Sequence, residues 1–214
     1  MSADQDLGTV VVTGGSSGLG AAVAAAVEDA GGTPVVFDVN EPSNGYAREI
    51  VDLSDTQAAE AAISRTAEQH GGIDAVVTAA GIDACGKLDE IAADRWEKVI
   101  AVNLLGTAAV IRAAIPHLER AGGRIVTVAS TLGIRGMSDA TAYCASKFGV
   151  VGFSRALAAE LAGRVGVTTL FPGGMQTPFF DGRDEQYKPP PDASLAPPEQ
   201  VAETVLFALR RPAG

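Results

Sequence analysis

Gly8-Thr9-Val10-Val11-Val12-Thr13 runs straight into Gly14-Gly15-Ser16-Ser17-Gly18-Leu19-Gly20, and this stretch decides the fold. Its first half is apolar and β-branched with no polar alternation, the pattern of a strand buried on both faces of a parallel sheet. Its second half is a glycine-rich turn, and residues 21–30 beyond it are dominated by helix-forming alanine. Strand, turn and helix make the first half of a βαβ unit. Glycines at such a turn let the backbone approach a pyrophosphate, and the helix that follows aims its positive end at the phosphate charge. Gly31-Gly32 stops the helix, and residues 33–38 (TPVVFD) read as the second strand. Asp38 closes that strand where a dinucleotide fold sets an acid against the adenosine ribose. A carboxylate there accepts from ribose hydroxyls and repels a 2′-phosphate, so the expected cofactor is NAD(H), with NADP(H) second.

The alternation continues along the chain. A turn cluster at 40–45 leads to a short third strand at 48–52, and a helix at 55–69 is capped by Ser54 or Asp55. Further strands are expected at 73–79 (IDAVVTA), 124–129 (RIVTVA) and 166–171 (GVTTLF), and helices at 88–101, 103–120, 141–161 and 197–210. Trp96 reads as a packing residue. Residues 174–196 contain Pro189-Pro190-Pro191 and lack periodicity, a length of irregular chain that is commonly functional. No repeat or linker divides the chain. The expectation is one α/β domain over 1–214, a Rossmann-type doubly wound parallel sheet of six or seven strands with helices on both faces and a substrate loop at about 174–196. Ligands of such sheets bind at the carboxyl ends of the strands, where the glycine turn, Asp38, Gly81, Ser130 and Pro172-Gly173 all fall.

Composition narrows the function classes. Hydrophobic residues make up 47% and charged residues 20% of 214, enough to bury a core. A net charge of -10 argues against a broad nucleic-acid or anionic-membrane surface, although backbone amides can still bind a phosphate locally. Cys85 and Cys144 lack metal-ligand or redox spacing, which fits a reduced, cytoplasmic protein. Residues 1–6 are polar and acidic and give no sign of a signal peptide. Charges and glycines are expected to break the Ala/Val-rich segments before they could span a bilayer. His70 and His117 stand apart from any ligand pattern, so no metal is expected.

Tyr143-Cys144-Ala145-Ser146-Lys147 opens the helix at 141–161 and puts Tyr143 and Lys147 on one face, a turn apart. Alone, such a pair is commonly a solvated helix face. A cation beside a phenol favours the phenolate, so Lys147 is expected to lower the Tyr143 pKa and bring proton transfer within reach of neutral pH. Ser130, at the end of the preceding strand, could share a substrate oxygen with Tyr143. Cys85, Leu132, Met137, Phe179, Phe180 and Tyr187 are candidates for an apolar pocket wall.

With these residues together, the chain resembles the short-chain dehydrogenase/reductase family in its single-domain form. Residues 13–20 match the TGxxxGxG turn, with Gly14, Ser16, Ser17, Gly18, Leu19 and Gly20 at the cofactor. Asp52 and Leu53 look like the family's adenine contact, and Ala80 and Gly81 like the small residues beside the cofactor. Asn103, Ser130, Tyr143 and Lys147 match its catalytic set. Pro172, Gly173, Met175 and Thr177 match the segment holding the nicotinamide carboxamide. The resemblance implies hydride exchange between a nicotinamide and a carbonyl or alcohol carbon, with Tyr143 as acid or base and Ser130 stabilising the substrate oxygen. Lys147 would bind the nicotinamide ribose, and Asn103 would hold a water relay. Ser17 stands where many NADP-dependent members carry Arg or Lys. Two departures stand out: the family's NNAG is Thr78-Ala79-Ala80-Gly81 here, and the sequence reaches Gly214 without the usual seventh strand. Altered packing rather than lost binding is expected from the first. The second makes a homodimer through the helices at 103–120 and 141–161 the expectation, over a homotetramer. A catalytically silent nucleotide-binding or scaffold protein on the same fold is the alternative. An epimerase or dehydratase is disfavoured by the small size.

Overall fold

The structure is a computed structural model and describes residues 7–43 and 45–211, so the reading of residues 1–6 and part of the 40–45 turn cluster lie outside the described residues. Six strands, β1 (Thr9–Thr13), β2 (Thr33–Asp38), β3 (Ala47–Ile50), β4 (Ala75–Thr78), β5 (Arg124–Val128) and β6 (Gly166–Leu170), form one sheet in the order β3-β2-β1-β4-β5-β6. All five pairings are parallel. The order reverses between β1 and β4, and that switch point opens a crevice at the carboxyl edge.

Among the described residues six α-helices cover the sheet: α1 (Gly18–Asp29), α2 (Thr56–His70), α3 (Ala93–Ile100), α4 (Thr107–Ala121), α5 (Thr141–Glu160) and α6 (Pro198–Leu209). The two-residue strand period sorts the β1 valines between two cores. Val10 and Val12 pack with Leu19, Val23 and Val27 of α1 and Val205 of α6. Val11 faces the opposite way, toward Ile63 of α2, Ile111 and Leu118 of α4 and Leu157 of α5. Asp55 caps α2, accepting from the Gln57 and Ala58 amides at 3.1 and 3.0 Å, and Gly71 ends it in the left-handed conformation.

Three sequence expectations change. The third strand ends at Ile50, which leaves Asp52 in the turn that follows. Residues 88–101 and 103–120 are not separate helices with a break: α3 and α4 are joined by a π-helical segment, Ala101–Gly106. The charges and glycines expected to interrupt this segment do not, because Gly106 sits inside the unbroken helical run 93–121. That run is long and apolar enough to cross a bilayer by length and composition, with a mean hydropathy of 1.8 in its best window, half of which is buried in the fold. Val110, Ile111, Ala114 and Leu118 spend its apolar face on the sheet and α2. It is a core helix.

Candidate active site

A cavity of about 870 Å³ occupies the crevice. It runs from Asp38, Asp52 and Leu53 past Gly14, Ser17, Gly18, Leu19 and Gly20 to Ser130, Tyr143 and Lys147. Ala80, Gly81, Pro172, Gly173, Met175 and Thr177 also line it. The catalytic and cofactor candidates that the sequence suggests therefore meet on one surface, with Ser16 and Asn103 just behind it.

At the dinucleotide end, Gly20 lies so close beneath the turn that a Cβ there would sit 2.1 Å from the Gly14 carbonyl oxygen. Only glycine lets α1 start this near β1. Ser17 makes no side-chain cap, so the first amides of α1 stay available to an anion in the crevice. The Asp38 carboxylate is oriented from both sides: Oδ2 accepts from the Ser16 amide and Oδ1 from the Asn40 amide, each at 3.0 Å. Ser16 Oγ in turn donates to the Asn40 carbonyl at 2.6 Å. Asp52 is held by the Ser54 amide at 2.9 Å and hydroxyl at 2.7 Å, and those hydrogen bonds keep its pKa below the ordinary value. Uncapped amides, a tight glycine turn and an acid at the tip of β2 fit a dinucleotide.

Ala80 donates to Thr13 Oγ1 at 3.1 Å, which ties the strand ends together where the family has NNAG. Thr78 Oγ1 is buried without a hydrogen-bond partner, so its hydroxyl gives no polar tie there. Asn103 lies in the π-helical segment, a place where an extra residue per turn often marks a functional position. Its Oδ1 accepts from the Ile82 amide at 2.8 Å, and its Nδ2 donates to the Ile82 carbonyl at 2.9 Å and to Ser146 Oγ at 3.0 Å. Both amide hydrogens are thus spent on positioning.

Lys147 is buried at 4% exposure and donates from Nζ to the Val128 carbonyl at 2.8 Å. Burial pulls its pKa down to about 8. Its Nζ lies 5.7 Å from the centre of the Tyr143 ring. The expectation that this cation lowers the Tyr143 pKa is overturned for the free protein. Burial dominates and pushes the phenol up to about 12, against a smaller lowering by its hydrogen bond with Ser130. The phenol is protonated at neutral pH.

Above Tyr143 the segment 174–196 closes on itself. Met175 and Ala196 bridge, Ala196 donates to the Gly174 carbonyl at 3.0 Å, and short 3₁₀ turns form at Pro178–Phe180 and Glu185–Tyr187. Phe179 packs 5.6 Å from the Tyr143 ring, centre to centre. The six apolar candidates, Cys85, Leu132, Met137, Phe179, Phe180 and Tyr187, all line the cavity. Sequence reading missed Asp83 and Arg183, which pair across the cavity wall with side-chain exposures of 7% and 19%. An aspartate just after an Ala-Gly-Ile turn gave a faint signal; its partner a hundred residues on gave none. Among the described residues no cluster of His, Cys, Asp and Glu could hold a metal.

Fold and site together describe a dinucleotide-binding protein of the dehydrogenase type, and comparison with known proteins sharpens the class. Residues 8–188 match the short chain dehydrogenase family. The chain belongs to that family. It is 34% identical to the D-threitol dehydrogenase of Mycolicibacterium smegmatis, over 92% of this chain and 84% of that one. It is also 34% identical to the 2,5-dichloro-2,5-cyclohexadiene-1,4-diol dehydrogenase LinX of Sphingobium indicum, over 92% and 86%. Among solved structures, levodione reductase superposes with a TM-score of 0.87 at 26% identity, over 96% of this chain and 92% of that one.

Proposed function

We propose that the protein is an NAD(P)-dependent oxidoreductase that interconverts a secondary alcohol and a ketone, with NAD(H) preferred. The observation that carries this reading is the convergence of Ser130, Tyr143 and Lys147 on the cavity that also holds the glycine turn and Asp38. Relatives named as dehydrogenases of threitol and of a cyclohexadienediol support an alcohol as substrate.

When bound, the nicotinamide cofactor supplies or accepts hydride. Tyr143 gives its phenolic proton to the substrate oxygen in reduction and takes it back in oxidation, and its protonated resting state suits the acid role. Ser130 fixes the same oxygen by hydrogen bonding. Lys147, its Nζ fixed by the Val128 carbonyl, would bind the nicotinamide ribose. Asn103 fixes the loop beside Gly81, where a Cβ would lie 3.6 Å from both Asn103 Oδ1 and Lys147 Nζ, and Asn103 would hold a water that links Lys147 to solvent as a proton relay. Asp38 accepts from the adenosine ribose and disfavours a 2′-phosphate, with Ser16 and Ser17 at the turn. Gly14, Gly18, Leu19 and Gly20 would hold the pyrophosphate, and Asp52 and Leu53 the adenine. Ala80 and Gly81 would allow close approach, and Pro172, Gly173, Met175 and Thr177 would hold the carboxamide.

The same reading takes 1–214 as one domain whose 174–196 segment is the substrate loop. It takes the setting as cytoplasmic, in keeping with free Cys85 and Cys144, and the assembly as a homodimer or homotetramer with no nucleic-acid or membrane partner. Tyr143→Phe tests the chemistry. We expect NADH binding retained, by fluorescence titration, and turnover of ketones lost by orders of magnitude; wild-type turnover in the variant refutes the assignment. Tighter binding of NADPH than NADH by the unaltered protein refutes the cofactor preference, which Asp38→Ala is expected to weaken.

A further inference from the structure

Asp83 and Arg183 stand out because nothing in the proton-transfer chemistry uses them. They pair directly with each other in the cavity lining that also holds Tyr143, and both charges act on the Tyr143 phenol. Arg183 comes from the 174–196 loop, stacks its guanidinium 5.2 Å from the Phe179 ring centre and 4.6 Å from that of Phe180, and donates from Nη1 to the Tyr187 carbonyl at 3.1 Å. Its Nη2 pairs with Asp83 Oδ2, which also accepts from Cys85 Sγ at 3.3 Å. Two valences are left over. Asp83 Oδ1 and Arg183 Nε are buried without a hydrogen-bond partner.

A buried acceptor and a buried donor left open in one ion pair are costly unless an ordered water or a ligand fills them. A hydroxyl does so with one oxygen, donating to the carboxylate and accepting from Nε–H. A carbonyl or ether oxygen leaves Asp83 unmet, and a hydrocarbon leaves both unmet. A carboxylate would compete with Asp83 for the guanidinium and meet its charge. We infer that Asp83 and Arg183 form the substrate-selecting element of this site. It receives a second hydroxyl of a neutral diol or polyol whose first hydroxyl lies at Tyr143 and Ser130. Because both open atoms are buried, the substrate enters with Arg183 displaced and the loop closes over the second hydroxyl.

This inference rests on the oxidoreductase reading, and one set of assays separates their failures. Oxidation of cyclohexane-1,2-, 1,3- and 1,4-diols is compared with that of cyclohexanol and 4-hydroxycyclohexanecarboxylate, following NADH absorbance. We expect the best diol to exceed both others in kcat/KM by at least about tenfold, since a site built to hydrogen-bond a hydroxyl rejects analogues lacking it. Asp83→Asn should bring the diol-to-cyclohexanol ratio down toward one, chiefly through KM for the diol. Removing one member of a buried pair can unfold a protein, so the paired apolar variant Asp83→Leu with Arg183→Met is made in parallel. It should fold, bind NADH and show no diol preference. Cyclohexanol or the hydroxycarboxylate matching the best diol in the wild type overturns the selectivity assignment alone, as does a diol preference that survives in the paired variant. No alcohol oxidised, with NADH still bound, overturns the oxidoreductase reading as well.

Discussion

Tyr143 and Lys147 show how far a residue pair can be read from spacing. One helical turn places them together, and that much was visible in the sequence. The sign of the Tyr143 shift was not, because it depends on burial supplied by Phe179 and the loop, which no local spacing reveals. The Asp83–Arg183 pair was hidden for a related reason: two charges a hundred residues apart carry no periodic signal. The Lys147 shift has a consequence for stability. Its folded pKa of about 8 lies below the ordinary 10.5, so between those values the unfolded chain binds more protons than the folded one. Stability therefore gains from this lysine as pH rises through about 8 to 10.5, and the lysine opposes folding most below 8. Cys85, pushed up by burial to about 11, and Tyr143 act in the opposite direction at higher pH. We expect urea unfolding of the cofactor-free protein to show the wild type losing ground to Lys147→Met as pH falls from 10 to 7.5. A constant difference between the two across that range would contradict a buried, titrating lysine.

At the scale of elements, the strands were legible because β1, β2, β4 and β5 are nearly unbroken apolar runs that only a sheet covered on both faces can bury. The join between α3 and α4 was not. A π-helical segment carries one more residue per turn, so the apolar face slips in phase, and a reader of period 3.6 sees two helices with a gap. Gly106 explains why the segment sits where it does. A Cβ there would meet the Leu53 carbonyl oxygen at 2.6 Å and the Leu53 Cβ at 2.7 Å. The helix and the adenine-side turn are therefore seated backbone to backbone. Gly106→Ala must move one of them, a cost of about 1–3 kcal/mol by analogy with overpacked cores. We expect a lowered urea midpoint together with several-fold weaker NADH binding, because Leu53 lines the cavity. Weakened stability with unchanged NADH affinity would show that the helix, not the turn, gives way.

For the whole molecule, the parallel order with its reversal between β1 and β4 follows from strand–helix alternation and right-handed crossovers, which leave few other topologies. Quaternary structure is a different problem, since a free helix face and a helix face awaiting a second copy look alike in one chain. Two exposed apolar side chains suggest where a test should begin. Leu105, in the π-helical segment, and Phe148, on α5, remain 50% and 47% exposed, and the segments bearing them pack against each other. Exposed large apolar side chains on packed neighbouring elements are candidates for the core of a two-fold interface. A homodimer built on the helices bearing them would bury Leu105 and Phe148, neither of which lines the cavity. Sedimentation equilibrium of the wild type should then report at least two chains, and Leu105→Glu with Phe148→Glu should report one, because each copy would bring paired like charges into the interface. If the double variant sediments as the wild type does, the interface lies on another face. The exposed edge of β6 would then be the surface to alter next.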